Sequence, residues 1–318
     1  PSYSGRSNFQ SLDSEYLSIL RRILEQPERM TRNGPTRSMF GVTLRCENIA
    51  SRFPILQSKK VFWKGIVEEL LFFLSGQTDT KLLEARGVNV WKGNTSREFL
   101  DSVLKKSYPV GEMGPMYGYQ LRTFGKKYRP EYEIGDIWGC DQVRDVVELL
   151  VNDPFSRRIM MTTYNPLQVS QGVLPPCHGI ITQFYVDDQH RISLSTYQRS
   201  GDWFLGVPFN ISSYGLLLYI IVKEVNEILE VIGLPHRYIP GDMIINFGDV
   251  HLYSNHLEAA LEQLQRKSET VMPPPRLTLP PRIRLLPTLG REFFETFSAK
   301  DFVLDYTSLG VIKAEMVA

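Results

Sequence analysis

The segment LPPCHGIITQFYV places one cysteine, Cys177, directly after two prolines and just before a run with strand character. The prolines restrict the backbone that leads to the thiol. A thiol held in this way becomes a nucleophile when nearby cations lower its pKa, because the thiolate is the reactive species. The alternative is a buried structural cysteine, since most free cysteines pack as small hydrophobic side chains. The cysteine alone does not decide between the two.

A second segment, YQRSGDWFLGVPFN, concentrates polar side chains in a stretch whose other residues suit burial. Buried polar groups need hydrogen-bond partners, and a ligand with a phosphate and a base edge would satisfy Arg199, Ser200 and Asn210. Turn capping and an internal ion pair would account for the same residues without a ligand.

The segment GDVHLYSNH places His251 and Tyr253 two residues apart. On a strand both side chains would project from the same side, so that they could hold one ligand. A hydrogen-bonded pair in the core is the alternative. His256 lies outside this spacing, and the pattern assigns it no functional role.

Two further sets of charged residues could contribute to chemistry. Glu69 lies in an apolar helical segment, where a carboxylate needs a partner or must order water, and Glu68 competes with it for the apolar face. A solvated helix face is the simpler explanation of Glu69. Arg157 and Arg158 are adjacent cations after NDPFS, and surface solubility is their simpler explanation.

The elements that must position these residues are helices and strands in mixed order. Helical spacing of apolar residues predicts helices over 12–24, 59–75 and 211–232. Short β-branched or aromatic runs predict strands over 158–164, 179–186, 192–198 and 243–249. The segment TRNGPTRSMFGVTLRCE begins with turn formers and then alternates Met39, Val42 and Leu44, which suits a turn that leads into strands. Because the order is mixed, the sequence favours the α+β class, with a mixed β-sheet packed against long buried helices in a single domain.

The composition limits what the chain can be. With 318 residues, 42% of them hydrophobic and 22% charged, it matches folded globular proteins, and no linker divides it. The 36 basic residues balance 35 acidic ones, so no overall field attracts nucleic acid or a membrane, and any anion is bound locally. Three widely spaced cysteines fit a reducing compartment. We expect a cytoplasmic or nuclear protein without a metal site, with a polar tail or tether at 1–12 and a folded domain at 13–318.

Six long motifs occur in the order in which the thymidylate synthase family shows them, over nearly the whole chain. They are VEELLFFLSG, GPMYGYQLR, NDPFSRRIM, LPPCHG, YQRSGDWFLGVPFN and GDVHLYSNH. The chain therefore resembles this family, whose members are homodimers that methylate dUMP. The resemblance implies that methylenetetrahydrofolate is the co-substrate, serving as carbon donor and reductant and leaving as dihydrofolate.

The resemblance implies five catalytic residues. Cys177 would attack carbon 6 of the uracil ring, and Tyr117 with water ordered by Glu69 would help to remove the proton from carbon 5. Arg199 would bind the phosphate and also favour the thiolate of Cys177. Asp202 would form a hydrogen bond with the pterin ring of the folate.

The resemblance also implies a nucleotide site that two subunits share. Arg199 and Ser200 from one subunit would bind the phosphate. Arg157 and Arg158 from the other would complete the set of charge-assisted contacts to one dianion. A shared site requires a dimer.

The remaining ligand contacts follow from the same resemblance. Asn210 would pair with the pyrimidine edge, which favours uracil over cytosine, because an amide offers both a donor and an acceptor. His251 and Tyr253 would hold the deoxyribose hydroxyl. Trp91 would pack beside the reacting folate and exclude water, and Gly206 would contribute to the folate site.

The chain departs from the family pattern at four places. The loop TRNGPTR lacks the usual RTGxGT and is about one residue short, so either Arg32 or Arg37 could reach the phosphate, and we favour Arg32. The other departures are Lys92 for the usual aspartate, Gly201 for the usual cysteine, and Leu309-Gly310 for the usual His-Pro. The C-terminal KAEMVA resembles the segment that closes over bound folate.

Three other functions are consistent with some of these residues. A pyrimidine hydroxymethylase of the same family would let water quench the methylene, and Trp91 and the C-terminal segment argue against it. A non-catalytic nucleotide- or RNA-binding relative would not need Cys177. A cysteine hydrolase needs a histidine base, whereas His178 is expected on the opposite strand face from Cys177. Besides dUMP and reduced folate, a fused or associated dihydrofolate reductase is an expected partner.

Overall fold

The computed structural model describes residues 12–105, 107–128, 139–266, 272–286 and 291–315, in which helices and strands follow one another in mixed order. The helices are α1 (Leu12–Leu24), α2 (Trp63–Leu74), α3 (Lys81–Ala85), α4 (Tyr117–Thr123), α5 (Gln142–Asn152), α6 (Gly206–Val231), α7 (Leu257–Gln265) and α8 (Arg291–Thr296). The strands are β1 (Glu28–Thr31), β2 (Gly34–Cys46), β3 (Met160–Met161), β4 (Ile181–Val186), β5 (Arg191–Asp202), β6 (Ile239–Tyr253), β7 (Arg276–Thr278) and β8 (Val303–Asp305). The predicted tail lies outside the described residues except for Leu12, the first residue of α1.

Six strands form one mixed sheet in the order β1-β2-β6-β5-β4-β3. Strands β5 and β6 run parallel, and the other neighbours in this sheet run antiparallel. Strand β7 of the proline-rich region and the later strand β8 pair as a separate antiparallel ribbon. The predicted α+β class with a mixed sheet in one domain is confirmed.

Helix α6 is the centre of the core. It packs against β5 and β6 and also against α2 and α5. By length and composition it could cross a membrane, but 78% of its most apolar window is buried inside the protein, as expected for a core helix. Ten of the twelve residues of α2 are buried, as its near-continuous apolar sequence predicts.

The predicted helices are present, and two of them begin elsewhere. Helix α1 has the predicted bounds, whereas α2 begins at Trp63 rather than at 59. The preceding residues are non-helical because their backbone bonds to the C-terminal segment: Lys60 N–H donates to the carbonyl of Gly310 at 2.8 Å. Helix α6 begins at Gly206, five residues before the prediction, since a proline within the first turn is tolerated there.

The predicted strands differ mainly in length. Only two residues of the 158–164 run pair with β4, at the edge of the sheet. Strand β6 continues past the predicted end at Asp249 as far as Tyr253, because β2 and β5 pair with it on both sides. That extension places the His251 segment on a strand.

Candidate active site

Cys177 lies in the loop before β4, four residues ahead of the strand itself. Its backbone N–H donates to the hydroxyl oxygen of Tyr117 at 3.1 Å, and the same oxygen lies 3.5 Å from Cys177 Sγ. Since the oxygen accepts the N–H, its own proton is available to the sulfur. Arg199 fixes the loop from the other side: its Nε donates to the carbonyl of Pro176 at 3.1 Å and its backbone N–H to that of Cys177 at 2.8 Å.

Opposing influences set the pKa of this thiol. Burial raises the pKa of Cys177, and this is the largest influence. The hydrogen bond from Tyr117 and the positive charge of Arg199 lower that pKa, while the charge of Glu69 raises it. Arg199 therefore acts in the expected direction, but the net shift is upward, so the thiol form is favoured near neutral pH.

Glu69 and Trp91 form a hydrogen-bonded pair beside Tyr117. Trp91 Nε1–H donates to Glu69 Oε1 at 2.7 Å, and Phe73 stacks on Tyr117 with ring centroids 4.8 Å apart. Burial raises the pKa of Glu69 to about 7, although the hydrogen bond from Trp91 lowers it. A carboxyl group with a pKa near neutrality suits proton transfer.

Glu68, the residue before Glu69, makes contacts that stabilise the fold rather than contacts in the site. Its Oε2 pairs with Arg86 at 2.7 Å, and its Oε1 accepts the backbone N–H of Ala299 at 2.8 Å. Both glutamates are buried in α2. Of the two, only Glu69 lines the cavity of ≈ 40 Å³ that Tyr117 also lines.

His178 lines the same cavity, and the expectation that its side chain lies on the opposite strand face from Cys177 is wrong. Its ring stacks on Tyr117 with centroids 4.5 Å apart, and its Nδ1 lies 2.8 Å from the hydroxyl of Tyr214. The strand-alternation rule did not apply, because this loop precedes β4. Burial lowers the pKa of His178 to about 4, which makes it a weak base for the hydrolase alternative.

A second, more open cavity of ≈ 240 Å³ lies at the C-terminal end of β6. His251 and Tyr253 both line it, with ring centroids 5.1 Å apart, so the prediction that they share one strand face is confirmed. Ser200 and Arg32 line the same cavity. These four residues come from β5, β6 and the turn between β1 and β2.

Asp249 and Arg29 are among the lining residues of this cavity that were not predicted. Asp249 Oδ1 lies 2.9 Å from His251 Nδ1, and its Oδ2 accepts from Arg29 at 2.5 Å. The period-two rule that selected His251 and Tyr253 would also have found Asp249, which lies two residues earlier on the same face. Nothing in the sequence pattern identifies Arg29, which belongs to the short strand β1.

The short N-terminal loop is a two-residue turn of Arg32 and Asn33, since Thr31 and Gly34 pair as the last residues of β1 and the first of β2. Arg37 lies on β2, where its NH1 donates to the carbonyls of Leu24 and Gln26 at 2.9 and 3.0 Å. Arg32 is thus at the cavity, and Arg37 anchors the end of α1.

Asn210 and Asp202 flank the start of α6. Gln198 Nε2 donates to Asn210 Oδ1 at 3.0 Å, which turns the amide NH₂ of Asn210 towards other partners. Gln198 was not predicted. Asp202 Oδ1 accepts the backbone N–H groups of Phe204 and Leu205 at 3.0 and 3.2 Å. Gly206, the first residue of α6, lies between Asp202 and Asn210.

Arg157 and Arg158 are exposed in the turn before β3. Gln183 Nε2 donates to the carbonyl of Arg157 at 3.0 Å. Neither arginine lines the cavity of His251 and Tyr253. Within one chain, the described residues do not bring this pair to the other predicted substrate contacts.

Three departures from the family pattern have local explanations. Lys92 pairs with Glu84 at the surface, 3.6 Å apart. A Cβ at Gly201 would lie 2.8 Å from Val207 Cγ2, so a larger residue would require a shift there. Gly310 has φ +93°, a conformation that favours glycine. The last three residues of KAEMVA lie outside the described residues.

Within the described part of the chain, no group of three or more His, Cys, Asp or Glu side chains is placed to hold a metal ion. A sequence model of thymidylate synthase matches residues 14–318. The chain belongs to the thymidylate synthase family. Human thymidylate synthase is 40% identical over 306 residues, which cover 95% of this chain and 90% of the human protein.

Some relatives in the family are longer than this chain. The bifunctional dihydrofolate reductase-thymidylate synthase of Paramecium tetraurelia is 42% identical over 256 residues, 80% of this chain and 52% of that protein. The protein of the same name from Zea mays is 40% identical over 292 residues, 91% of this chain and 51% of that protein. The chain spans about half the length of these two relatives.

Proposed function

We propose that this chain is a methyltransferase that converts dUMP to dTMP, with methylenetetrahydrofolate as carbon donor and reductant. The observation that carries the proposal is the partly buried thiol of Cys177, in contact with the Tyr117 hydroxyl and in a loop fixed by Arg199. Family membership over residues 14–318 supports the same reaction.

Cys177 is the proposed nucleophile towards carbon 6 of the uracil ring. The thiol must lose its proton to react, and the phenolic proton of Tyr117 and the charge of Arg199 both stabilise the thiolate. Burial opposes these two stabilising effects. Tyr117 and Arg199 must therefore keep their contacts with Cys177 when the dianionic nucleotide binds. Formation of the sulfur–carbon bond places electron density on carbon 5, which can then accept a one-carbon unit.

Glu69 is the proposed centre of proton transfer from carbon 5. Its pKa of about 7 makes both protonation states accessible near neutral pH. Burial holds the pKa of Tyr117 well above 10, so its hydroxyl works as a neutral donor rather than as a phenolate base. We therefore assign to Tyr117 the roles of hydrogen-bond donor to the Cys177 sulfur and of proton relay. Glu69 is the group that gains and loses the proton.

The cavity at the end of β6 is the proposed deoxyribose and phosphate site. His251 and Tyr253 would hold the sugar hydroxyl, and Arg32 and Ser200 would meet the phosphate. Asn210 would read the uracil edge, since its oxygen is already bonded to Gln198 and its NH₂ can donate to a carbonyl oxygen of the base.

The folate is the second substrate and supplies the methylene group and a hydride. Trp91, Asp202 and Gly206 are its proposed contacts. Trp91 is held at Glu69 by a hydrogen bond, and its ring lies 6.0 Å from that of Tyr117, so it can exclude water beside the reacting carbon. This position argues against the hydroxymethylase.

A second copy of the chain is the proposed partner for the outer face of the sheet. That face exposes large apolar side chains in the six-stranded sheet, namely Phe40, Met160, Ile181, Tyr185 and Tyr197. Arg157 and Arg158 lie exposed beside it, outside the cavity of their own chain. In a two-fold dimer they would enter the partner's phosphate site and complete it.

The shared site can be tested with hybrid dimers. A Cys177→Ser chain keeps its arginines, and an Arg157→Ala/Arg158→Ala chain keeps its thiol. Each homodimer should be inactive, and activity should return on mixing and refolding the two, because one site of the hybrid has both parts. Mixed chains that stay inactive, or a wild-type chain that sediments as a monomer at full activity, would contradict the shared site.

The reaction itself is tested by the absorbance change as dihydrofolate forms from dUMP and methylenetetrahydrofolate, with Cys177→Ser as the control. Formation that the substitution abolishes supports the synthase. Tritium release from carbon 5 of labelled dUMP without dihydrofolate would indicate the hydroxymethylase. Binding of dUMP with neither product would indicate a non-catalytic nucleotide- or RNA-binding protein.

Two expectations about the cellular setting remain proposals. An associated or fused dihydrofolate reductase fits the product, dihydrofolate, and two relatives carry both names. A cytoplasmic or nuclear location fits the three cysteines, all of which are free thiols.

A further inference from the structure

Helix α7 lies between two residues that contact the C-terminal segment. Arg266 directly follows its last residue and donates from NH1 to the carbonyls of Leu309 and Gly310, at 3.2 and 2.8 Å, and from NH2 to that of Val311 at 3.1 Å. His256 directly precedes its first residue, and its Nε2 lies 2.6 Å from the carbonyl oxygen of Glu315. The segment 309–315 is therefore held at both of its ends.

The imidazole of His256 also faces Asp202. A carbonyl oxygen only accepts hydrogen bonds, so Nε2 carries the proton that goes to Glu315. The other nitrogen, Nδ1, lies 3.8 Å from Asp202 Oδ1 and has no hydrogen-bond partner among the described residues. The His256 side chain is fully buried. One buried ring thus bridges Asp202 and the backbone of the C-terminal segment.

The neighbours of His256 restrict how the ring can turn. Phe204 and Tyr253 contact it, with ring centroids 5.6 and 5.8 Å away. Asp202 is itself fixed by two backbone N–H groups at the start of α6. The direction of Nε2 towards Glu315 therefore depends on elements that also build the nucleotide and folate sites.

We propose that His256 is a positioning residue, which couples Asp202 to the closed position of residues 311–315. The proposal rests on the proposed function, in which Asp202 binds the folate. Arg266 anchors 309–311 independently of the ligand site, so the contact with His256 controls only the last part of the segment. Loss of that contact should weaken folate capture and leave dUMP binding unchanged.

Two substitutions distinguish the contact of His256 Nε2 with Glu315 from the contact of Nδ1 with Asp202. In His256→Gln the amide nitrogen can take the place of Nε2 and donate to Glu315, whereas in His256→Asn the amide reaches only the position of Nδ1, towards Asp202. We expect His256→Asn to raise the KM for methylenetetrahydrofolate about fivefold, which corresponds to the loss of one net hydrogen bond. In His256→Gln this KM should match the wild-type value. The KM for dUMP should stay unchanged in both. A purely structural role predicts that both variants lose kcat in step with thermal stability.

Hydrogen exchange of the amides in 311–315 tests the contact without any assay of activity. Exchange should be faster in His256→Asn than in His256→Gln or in the control His236→Asn, which changes a half-buried histidine in the loop after α6, outside the C-terminal segment. Equal exchange in all three would overturn the proposal. A chain that forms no dihydrofolate would overturn the proposed function, while the exchange result would still decide the role of His256.

The wild-type protein gives a test that does not depend on whether the variants fold. The ¹⁵N chemical shifts of the His256 ring should identify a protonated Nε2 that exchanges slowly with water. A neutral ring protonated at Nδ1 would be unable to donate to Glu315, and this result would overturn the proposal.

Discussion

The Tyr117 hydroxyl accepts the backbone N–H of Cys177 at 3.1 Å and lies 3.5 Å from the sulfur of the same residue. One oxygen thus fixes the backbone of the nucleophile and offers its proton to the thiolate. The contact joins the start of α4 to the loop before β4, which are 60 residues apart in the chain.

Tyr117→Phe should make the thiol less reactive. The substitution removes a hydrogen bond that lowers the pKa of Cys177, so that pKa should rise further and the thiolate fraction should fall. We expect alkylation of Cys177 by iodoacetamide to slow about tenfold near neutral pH, the value of one hydrogen bond to a charged group.

The control for this measurement is Tyr119→Phe, two residues along the same helix. Its hydroxyl donates to the carbonyl of Lys126 at 2.9 Å, away from the thiol. Alkylation in the control should match the wild type. An unchanged rate in Tyr117→Phe would mean that the phenolic proton does not stabilise the thiolate.

Glu69 should make the stability of the protein depend on pH in a specific direction. Burial raises its folded-state pKa from the ordinary 4.5 to about 7, so between these values the folded state binds more protons than the unfolded state. Stability contributed by this group is therefore fully present below about pH 4.5 and is lost as the pH rises to about 7.

Glu69→Gln should remove that dependence and keep the acceptor for Trp91 Nε1–H. At about pH 8 the variant should be more stable than the wild type by up to about 3 kcal/mol, and the difference should vanish near pH 4.5. Urea unfolding at several pH values measures it. Glu68→Gln is the contrasting control, since weakening the buried pair with Arg86 should destabilise the protein at both pH values. A Glu69→Gln variant that is equally destabilised at both would contradict the raised pKa.

The elements that local patterns define could be predicted from the sequence. Helix α1 has its predicted bounds because its apolar spacing and the following Gln26-Pro27 are local signals. The pairing of His251 with Tyr253 followed from strand periodicity alone. The roles of Cys177 and Asn210 came from long motifs, since nothing local distinguishes a nucleophile from a structural cysteine.

Contacts between distant parts of the chain could not be predicted in this way. The assignment of His178 failed because strand alternation was applied to residues that precede β4. The pair of Arg29 with Asp249 joins residues 220 positions apart, and the contact of His256 with Glu315 joins residues 59 apart. The sheet order and the path of the C-terminal segment create these contacts. No repeating pattern of residues in the sequence indicates either of them.

Arg32 in the β1–β2 turn should be a ligand contact, and Arg37 on β2 should be a structural anchor. Arg32→Ala should raise the KM for dUMP about tenfold, as expected for a charge-assisted hydrogen bond to phosphate, with little change in stability. Arg37→Ala should instead lower the free energy of unfolding by about 1 to 2 kcal/mol, because the carbonyls of Leu24 and Gln26 lose their partner. Steady-state kinetics and urea unfolding of both variants check this. The reverse pattern would place Arg37 at the phosphate.

Asp249 should determine how tightly the nucleotide sugar is held. Its carboxylate pairs with His251 Nδ1, which leaves Nε2 as the ring nitrogen for a ligand in the cavity that His251 lines, and it also pairs with Arg29. In Asp249→Asn the negative charge between Arg29 and the His251 ring is lost, and the amide can turn its NH₂ towards Nδ1 and favour the other tautomer. We expect dUMP affinity, measured by calorimetry, to fall about tenfold, the loss for one charge-assisted hydrogen bond. The matched control is Asp242→Asn, which removes a similar ion pair with Arg45, 2.7 Å long, nearer the start of β6. Affinity that falls equally in both variants would trace the effect to the strand rather than to His251.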